Sequence, residues 1–460
     1  MNGHLNTIDY YLRIKGDALM KKKIAIIGSG MAGLAAGWLC REGGAEVTIL
    51  EALANRGMDS HTRLLNDEGG ESGYVDLPLR VMSPHAWPTV LELCEKVGVQ
   101  TFEVDTTVAC SWLNAETWFR SSKLQFGSRM IPWAPLNYLL RPETYRMLLG
   151  FIRLSRSVPE VLDSGLTLKE FADQHRTDPL FWKGLLYPIL TTICTCDEKT
   201  LDQWPAQQIL DLLQTIVFGA RLLRLQGGTK ALAEKLGEGL NWQIGIRVDK
   251  LVEKSSGIFL HSKNAGFGPF DYVICAVQAN QLNFLPEQYS SESKLLNSFP
   301  YDSGTLWVHR DVRFMPERKQ DWSPLHYQMD KDFSQSMFSV WVNPIEPTIS
   351  HHEPVLQTWN PLFEPKSEKV IVAVPMERAV VNQGNHILLK ELDLLHKFPS
   401  RNVFFCGSYA APGVPLLESA VRSAIKVVRH LGFDPSVSRQ FKILRQVSLE
   451  ESSSNLAASS

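Results

Sequence analysis

The apolar and polar positions of this chain change period several times, and each change marks an element. Residues 22–27 close on four consecutive apolar residues, the pattern of a buried strand, and stop at Gly28. From Gly28 the stretch GSGMAGLAAGWLC opens a helix predicted to run through Cys40. After Gly43-Gly44, residues 46–50 read as a second strand that ends in Glu51. Residues 227–254 begin with a glycine pair and a helix, then continue into a strand predicted at 246–252. Residues 270–282 read as a buried strand followed by a turn, and 402–432 as strand, Gly407, loop and helix. Two further stretches, 305–309 and 336–342, alternate as half-buried strands do. Residues 143–157 have helical spacing, with Arg146, Arg153 and Arg156 on one face and Leu148, Leu149 and Ile152 on another.

Strand, glycine turn, helix, strand and terminal acid, in that order, describe a dinucleotide site. Gly28 permits the tight turn, Gly30 lets the backbone approach a pyrophosphate, and Gly33 lets the helix pack closely on the strand. Met31 and Ala32 begin that helix, whose free N–H groups and partial positive charge suit phosphate oxygens. The Glu51 carboxylate can accept hydrogen bonds from a ribose diol and attracts no 2′-phosphate, which argues against NADP. FAD and NAD both fit this local motif.

Length and composition narrow the class. A chain of 460 residues is too long for one ordinary core. Its 44% hydrophobic and 21% charged residues and net charge of −2 give a globular protein with no electrostatic case for nucleic acid. The seven scattered cysteines are no disulfide framework, and a reducing, cytoplasmic setting follows. Cys194 and Cys196 are closer together than zinc or redox pairs, so buried structural thiols are expected and no metal. Residues 1–19 have no apolar signal core, and Met20 looks like a more natural start. Residues 435–460 read as a flexible tail, and no run is long enough to span a membrane. The basic helix at 143–157 suits peripheral contact with a membrane surface, and equally an ordinary core helix with a solvated side.

The separated segments 22–51, 227–254, 270–282 and 402–432 resemble the flavin-containing amine oxidase and phytoene desaturase superfamily. Within it, FPYDSGTLWVHRDVRFMPERKQDW and MFSVWVNPIEP are similar to the bacterial and fungal predicted NAD/FAD-binding amine-oxidase-like proteins. The positions that carry this are His309, Asp311, Met315, Pro316, Trp322, Asn343 and Pro344. YVDLPLRVMSPHAWPTVLELCEKVGV and LYPILTTICTCDEKTLDQWPA add to it, so the likeness runs over residues 22–432. The chain departs from the group in having Gly57-Met58-Asp59-Ser60-His61-Thr62 where Gly-Gly-His-x-His-Thr is usual, and Leu417-Glu418 where His-Glu is usual.

The resemblance implies an α/β fold, a Rossmann-type (glutathione reductase-like) FAD-binding domain with an inserted mixed α+β substrate domain. The FAD-binding parts would be residues 20–105, 222–290 and 395–434. The substrate parts would be 106–221, mainly helical, and 291–394, a sheet roofing the flavin. It implies noncovalent FAD, with Val248 meeting the adenine, Gly407-Ser408 the ribityl-pyrophosphate, and the helix from Glu418-Ser419 the flavin ring. Arg56 and Gly57 would lie by the pyrophosphate. The reaction implied is oxidation, desaturation or isomerisation of a small or lipid-like substrate by hydride transfer to flavin, with oxygen or another electron acceptor. Three alternatives remain: a carotenoid-like desaturase at a membrane, a flavin-binding accessory protein without turnover, and an NAD-dependent dehydrogenase. Candidate catalytic side chains are His309, Tyr327 and Asn343, with Trp341 as a further candidate for the cavity lining.

Overall fold

The computed structural model describes residues 21–433, apart from 67–71, 105, 114–115, 127–128, 162–164, 176–177, 195 and 218–221. The expected extension at 1–19 and tail at 435–460 lie outside the described residues.

The strand Lys23–Ile27 shows why its run of apolar residues is unbroken. Side chains alternate across a strand, so Ile24 and Ile26 enter one hydrophobic cluster and Ala25 and Ile27 another. Both faces of the sheet are covered. The sheet is parallel, in the order Asn241–Ile244, Glu46–Glu51, Lys23–Ile27, Tyr272–Cys275, Val403–Phe405. Helices Met31–Glu42, Gly228–Gly237 and Leu417–His430 supply one cluster, through residues such as Leu34, Leu232 and Val428. The other cluster includes Leu251, Ile258 and Phe270 from a three-stranded antiparallel sheet, Lys250–Lys254, Gly257–His261 and Gly266–Phe270.

One expected strand is misplaced. The edge strand of the parallel sheet is Asn241–Ile244, not 246–252. Gly245, at φ +72°, ends it, and the Ile246 N–H donates to the Glu51 carbonyl. The chain becomes a strand again only at Lys250, in the antiparallel sheet.

A second sheet of seven strands faces the first unit. Its order is Val370–Ala379, Tyr301–His309, Leu356–Trp359, Ser336–Trp341, Leu325–Met329, Val108–Trp112, Thr117–Arg120. The last two strands come from the stretch expected to be mainly helical. Residues 108–133 form four strands, because Trp and Phe recur there and suit a pleated surface. Helices follow from Leu136 to Val217.

The helix Pro142–Val161 also differs from expectation. Thr144, Met147, Gly150 and Leu154 face inward, while Tyr145, Leu148, Leu149 and Ile152 face solvent on one stripe with Arg153 and Arg156. The leucines are exposed because a second apolar stripe already fills the core. Leu136 and Leu140, 83% and 88% exposed, belong to the segment just before it.

Between the two sheets lies a buried ionic hub. Arg224 is fully buried, and its Nη2 lies 2.6 Å from Glu346 Oε2 and 3.4 Å from Asp76 Oδ2. Asp76 Oδ1 accepts from Thr62 Oγ1, Thr229 N and Thr229 Oγ1. Its carbonyl accepts from Gln357 Nε2, and Gln357 Oε1 accepts from the Leu79 N–H. Removing one partner of such a group leaves buried charge without compensation. Arg224→Ala is therefore expected to cost about 3–5 kcal/mol of stability, read as a lower urea midpoint. A loss under about 1 kcal/mol, the value of an exposed pair, would contradict the hub.

Candidate active site

The glycine turn is shaped by three separate constraints. Gly28 has φ +96°, and a Cβ there would lie 2.9 Å from the Ala276 carbonyl oxygen. A Cβ on Gly33 would lie 2.0 Å from the Gly28 carbonyl oxygen, so the helix can start this close to the turn only without a side chain. A Cβ on Gly30 would meet nothing within 4 Å. Gly30 also caps the helix Met31–Glu42 without any side-chain hydrogen bond. Open space in front of an uncapped helix start, with the Met31 and Ala32 amides in its first turn, is a cradle that fits a pyrophosphate.

Glu51 has more to do than the sequence suggests. Its Oε2 accepts from Ser29 N at 2.9 Å and Ser29 Oγ at 2.6 Å, and its Oε1 accepts from Leu53 N at 2.9 Å. Ser29 Oγ in turn accepts from Gly57 N at 2.6 Å. The carboxylate thus braces the glycine turn and, through Ser29, the short 3₁₀ helix Gly57–His61. A Cβ at Gly57 would lie 1.8 Å from the Ser29 carbonyl oxygen, so this glycine packs directly on the phosphate turn. Met58 is buried in the core behind it. Arg56 is exposed and lies 5.0 Å over the Trp242 ring, a cation–π contact on the edge strand.

The later cofactor candidates belong to several elements. Val248 is buried among the residues under the parallel sheet. Gly407 N donates to Ser423 Oγ at 3.0 Å, and Ser408 opens a 3₁₀ turn. Ser419 Oγ donates to the Val414 carbonyl. Glu418 accepts from Thr89 N and Val90 N, in the first turn of the helix Pro88–Val97, and burial raises its carboxyl above the usual range. That bond turns Glu418 away, and Leu416 and Leu417 face the cavity instead.

This cavity holds about 1140 Å³ of empty space, counted with the solvent at its mouth. One side is made by residues 78–82, Trp87, Leu416 and Leu417. The seven-stranded sheet contributes Leu306, Leu325, Phe338, Val340 and Trp359, and the helix Tyr187–Cys194 adds Ile189 and Ile193. Its polar lining is Arg80, Thr106, Thr192, Gln357 and Arg378.

The side chains expected to be catalytic are elsewhere. His309 is fully buried in its sheet, with Nε2 3.1 Å from Thr358 Oγ1 and Nδ1 accepting from Asp311 N. Burial holds its pKa near 4, so it is neutral. Asn343 donates to the carbonyls of Ile349, His352 and Glu353 and accepts from Val355 N, which uses it as a loop clamp. Tyr327 is fully buried against Phe338, and Trp341 packs edge-on against Trp322. None of the four lines the cavity. Strand phase decides this, and a sequence does not reveal which face of a strand turns inward. Arg80, Gln357 and Arg378 were missed. Arg80 sits in the noted stretch YVDLPLRVM, but no residue pattern there separates a cavity arginine from a solvated one.

The geometry at Gly57 yields a paired expectation. Gly57→Val is expected to purify folded but with its flavin absorbance reduced to about a tenth or less, since the side chain displaces the phosphate turn. Met58→Gly is expected to keep full flavin while losing about 2–5 kcal/mol from the core. Full flavin in folded Gly57→Val would contradict the placement of this loop.

The chain matches the family described as flavin containing amine oxidoreductase over residues 31–375. It is similar in structure to putrescine oxidase solved with putrescine, at TM-score 0.59 and 14% identity, covering 90% of this chain and 99% of that one. Cyclohexylamine oxidase from Brevibacterium oxydans gives TM-score 0.60 and 15% identity over 91% and 100% of the two chains. A putative protoporphyrinogen oxidase from Exiguobacterium gives 0.59 and 15% over 89% and 99%. No curated protein matches in sequence. A flavin family combined with a dinucleotide fingerprint makes the flavin FAD. The chain belongs to the flavin-containing amine oxidoreductase family and is an FAD-dependent oxidoreductase.

Proposed function

We propose that this enzyme oxidises an apolar, small or lipid-like molecule in the cavity between the seven-stranded sheet, residues 78–82 and the start of the helix Leu417–His430. The observation that carries the reading is the lining. Among the described residues, and apart from two arginines, two threonines and a glutamine, it is aliphatic or aromatic. Bound FAD supplies the hydride acceptor. Leu306, Trp359 and Leu417 hold the substrate body and exclude water. Among the described lining residues there is no carboxylate, imidazole or amine, so a proton lost along with the hydride would pass to water or to a group on the substrate itself. Residues 78–82 and the start of the helix Leu417–His430 are the parts of the wall closest in sequence to the expected flavin contacts. Val248, Gly407 and Ser408 would hold the nucleotide, as in the family.

The exposed stripe of the helix Pro142–Val161 supports a second element, contact with an anionic membrane surface. Tyr145, Leu148, Leu149 and Ile152 would enter the lipid, and Arg153 and Arg156 on the same stripe would meet its head groups. No helix among the described residues is long and apolar enough to cross a membrane.

Two measurements test these points. Anaerobic holoenzyme mixed with fractionated extract from the cells that make it should lose its oxidised flavin bands with the apolar fraction. Bleaching by the aqueous fraction alone would contradict the reading. The protein should sediment with phosphatidylglycerol vesicles, and Leu149→Glu with Ile152→Glu should reduce the bound fraction about tenfold or more. Wild-type protein left in the supernatant would refute membrane contact.

A further inference from the structure

Hydride transfer does not require the two arginines that face the cavity. Arg80 comes from the segment after the strand Ser72–Asp76, and Arg378 from the strand Val370–Ala379. Among the described residues, neither makes an ion pair with a carboxylate. Asp76, whose charge acts on Arg80, is already held by Arg224, Thr62 and Thr229. Arg80 Nε has no hydrogen-bond partner, and its Nη2 lies 3.2 Å from His61 Nδ1. His61 brings no negative charge, and burial together with Arg80 holds its pKa near 4. Across the sheet from Arg378 is Asp302, whose carboxylate accepts from the Asp197 and Ser303 amides.

The two guanidinium groups also act on each other. Burial first, and then the Arg80 charge, together lower the Arg378 pKa to about 9. Arginine keeps its charge at neutral pH, so two cations face a cavity whose other described lining is mostly apolar. Two like charges in such an enclosure are costly unless an anion joins them. Guanidinium forks match the paired oxygens of a carboxylate or phosphate.

We propose that Arg80 and Arg378 form an oxyanion clamp, and that the molecule oxidised in this cavity carries a carboxylate or phosphate monoester head on an apolar body. The clamp rests on the functional reading above. It adds a charge requirement that the apolar walls alone do not impose, and it disfavours a cationic amine head at that end of the cavity.

Binding to holoenzyme, followed by calorimetry and by the shift of the flavin bands, tests the clamp with decanoate, decyl phosphate, decanol and decylamine. Decanoate or decyl phosphate should bind at least about tenfold tighter than decanol, with decylamine weakest. Whichever anion binds tighter names the head group. Arg378→Gln and, separately, Arg80→Gln should lose about tenfold or more for that anion, keep decanol binding within about twofold, and retain full flavin. Arg378→Lys should recover part of the loss. Equal binding of decanol and the anions would overturn the clamp alone and leave the apolar reading intact. If none of the four binds, the apolar-substrate reading falls and the clamp with it. Loss of flavin in folded Arg378→Gln and Arg80→Gln would assign the arginines to the cofactor and overturn the proposal.

Discussion

The group formed by Asp76, Arg224 and Glu346 joins the parts that build the site. Asp76 ends a strand that leads into residues 78–82, Arg224 precedes the helix Gly228–Gly237, and Glu346 belongs to the connection after the seven-stranded sheet's Ser336–Trp341. Each is a long way from the others in sequence. A buried charge is tolerated only when paired, so these three segments must meet in one arrangement. Gln357 extends the constraint by bridging the Asp76 carbonyl and the Leu79 amide. The cavity wall that includes Leu79 and Arg80 is thereby tied to the sheet that roofs it.

A second set of constraints is steric and lies at the glycine turn. Gly33 and Gly57 both press on the glycine turn, and Glu51 holds Ser29 between them. The stretch Gly57-Met58 is a working part of this turn: its first residue must be glycine, and its second belongs to the core. Glu418, in place beside Leu417, spends its carboxylate on the helix Pro88–Val97. The consequence is an apolar residue at the cavity surface, which suits the apolar lining.

The strand, glycine turn and helix at the start of the parallel sheet were legible because each of their features is local. A buried strand, a fixed glycine spacing and a terminal acid are contiguous, and each has its own steric or electrostatic reason. Separated segments such as 402–432 were legible for the same reason, one strand, glycine and helix at a time. The edge strand Asn241–Ile244 was missed because a four-residue strand carries too little periodicity, whereas the longer apolar run after Gly245 imitates one. The roof was less legible still. His309, Tyr327 and Asn343 look chemically able, but sheet phase turns them into packing and hydrogen bonds within the sheet. Arg80 and Arg378 are about 300 residues apart in the chain, and only the folded arrangement shows that they share a cavity. In the helix Pro142–Val161, Leu149 with Arg153 and Ile152 with Arg156 are four residues apart, so spacing alone puts leucine and arginine on one stripe, and only the burial of the opposite stripe needs the structure.

The central claim is that the FAD ring and an apolar substrate meet in the cavity beside the seven-stranded sheet. Solving the structure of the FAD-bound protein tests it most directly. The expected result has pyrophosphate oxygens on the Met31 and Ala32 amides and the isoalloxazine ring in the cavity bounded by Leu79, Leu306 and Leu417. A ring lying outside that cavity, with the space beside Leu306 and Trp359 left to solvent, would contradict it.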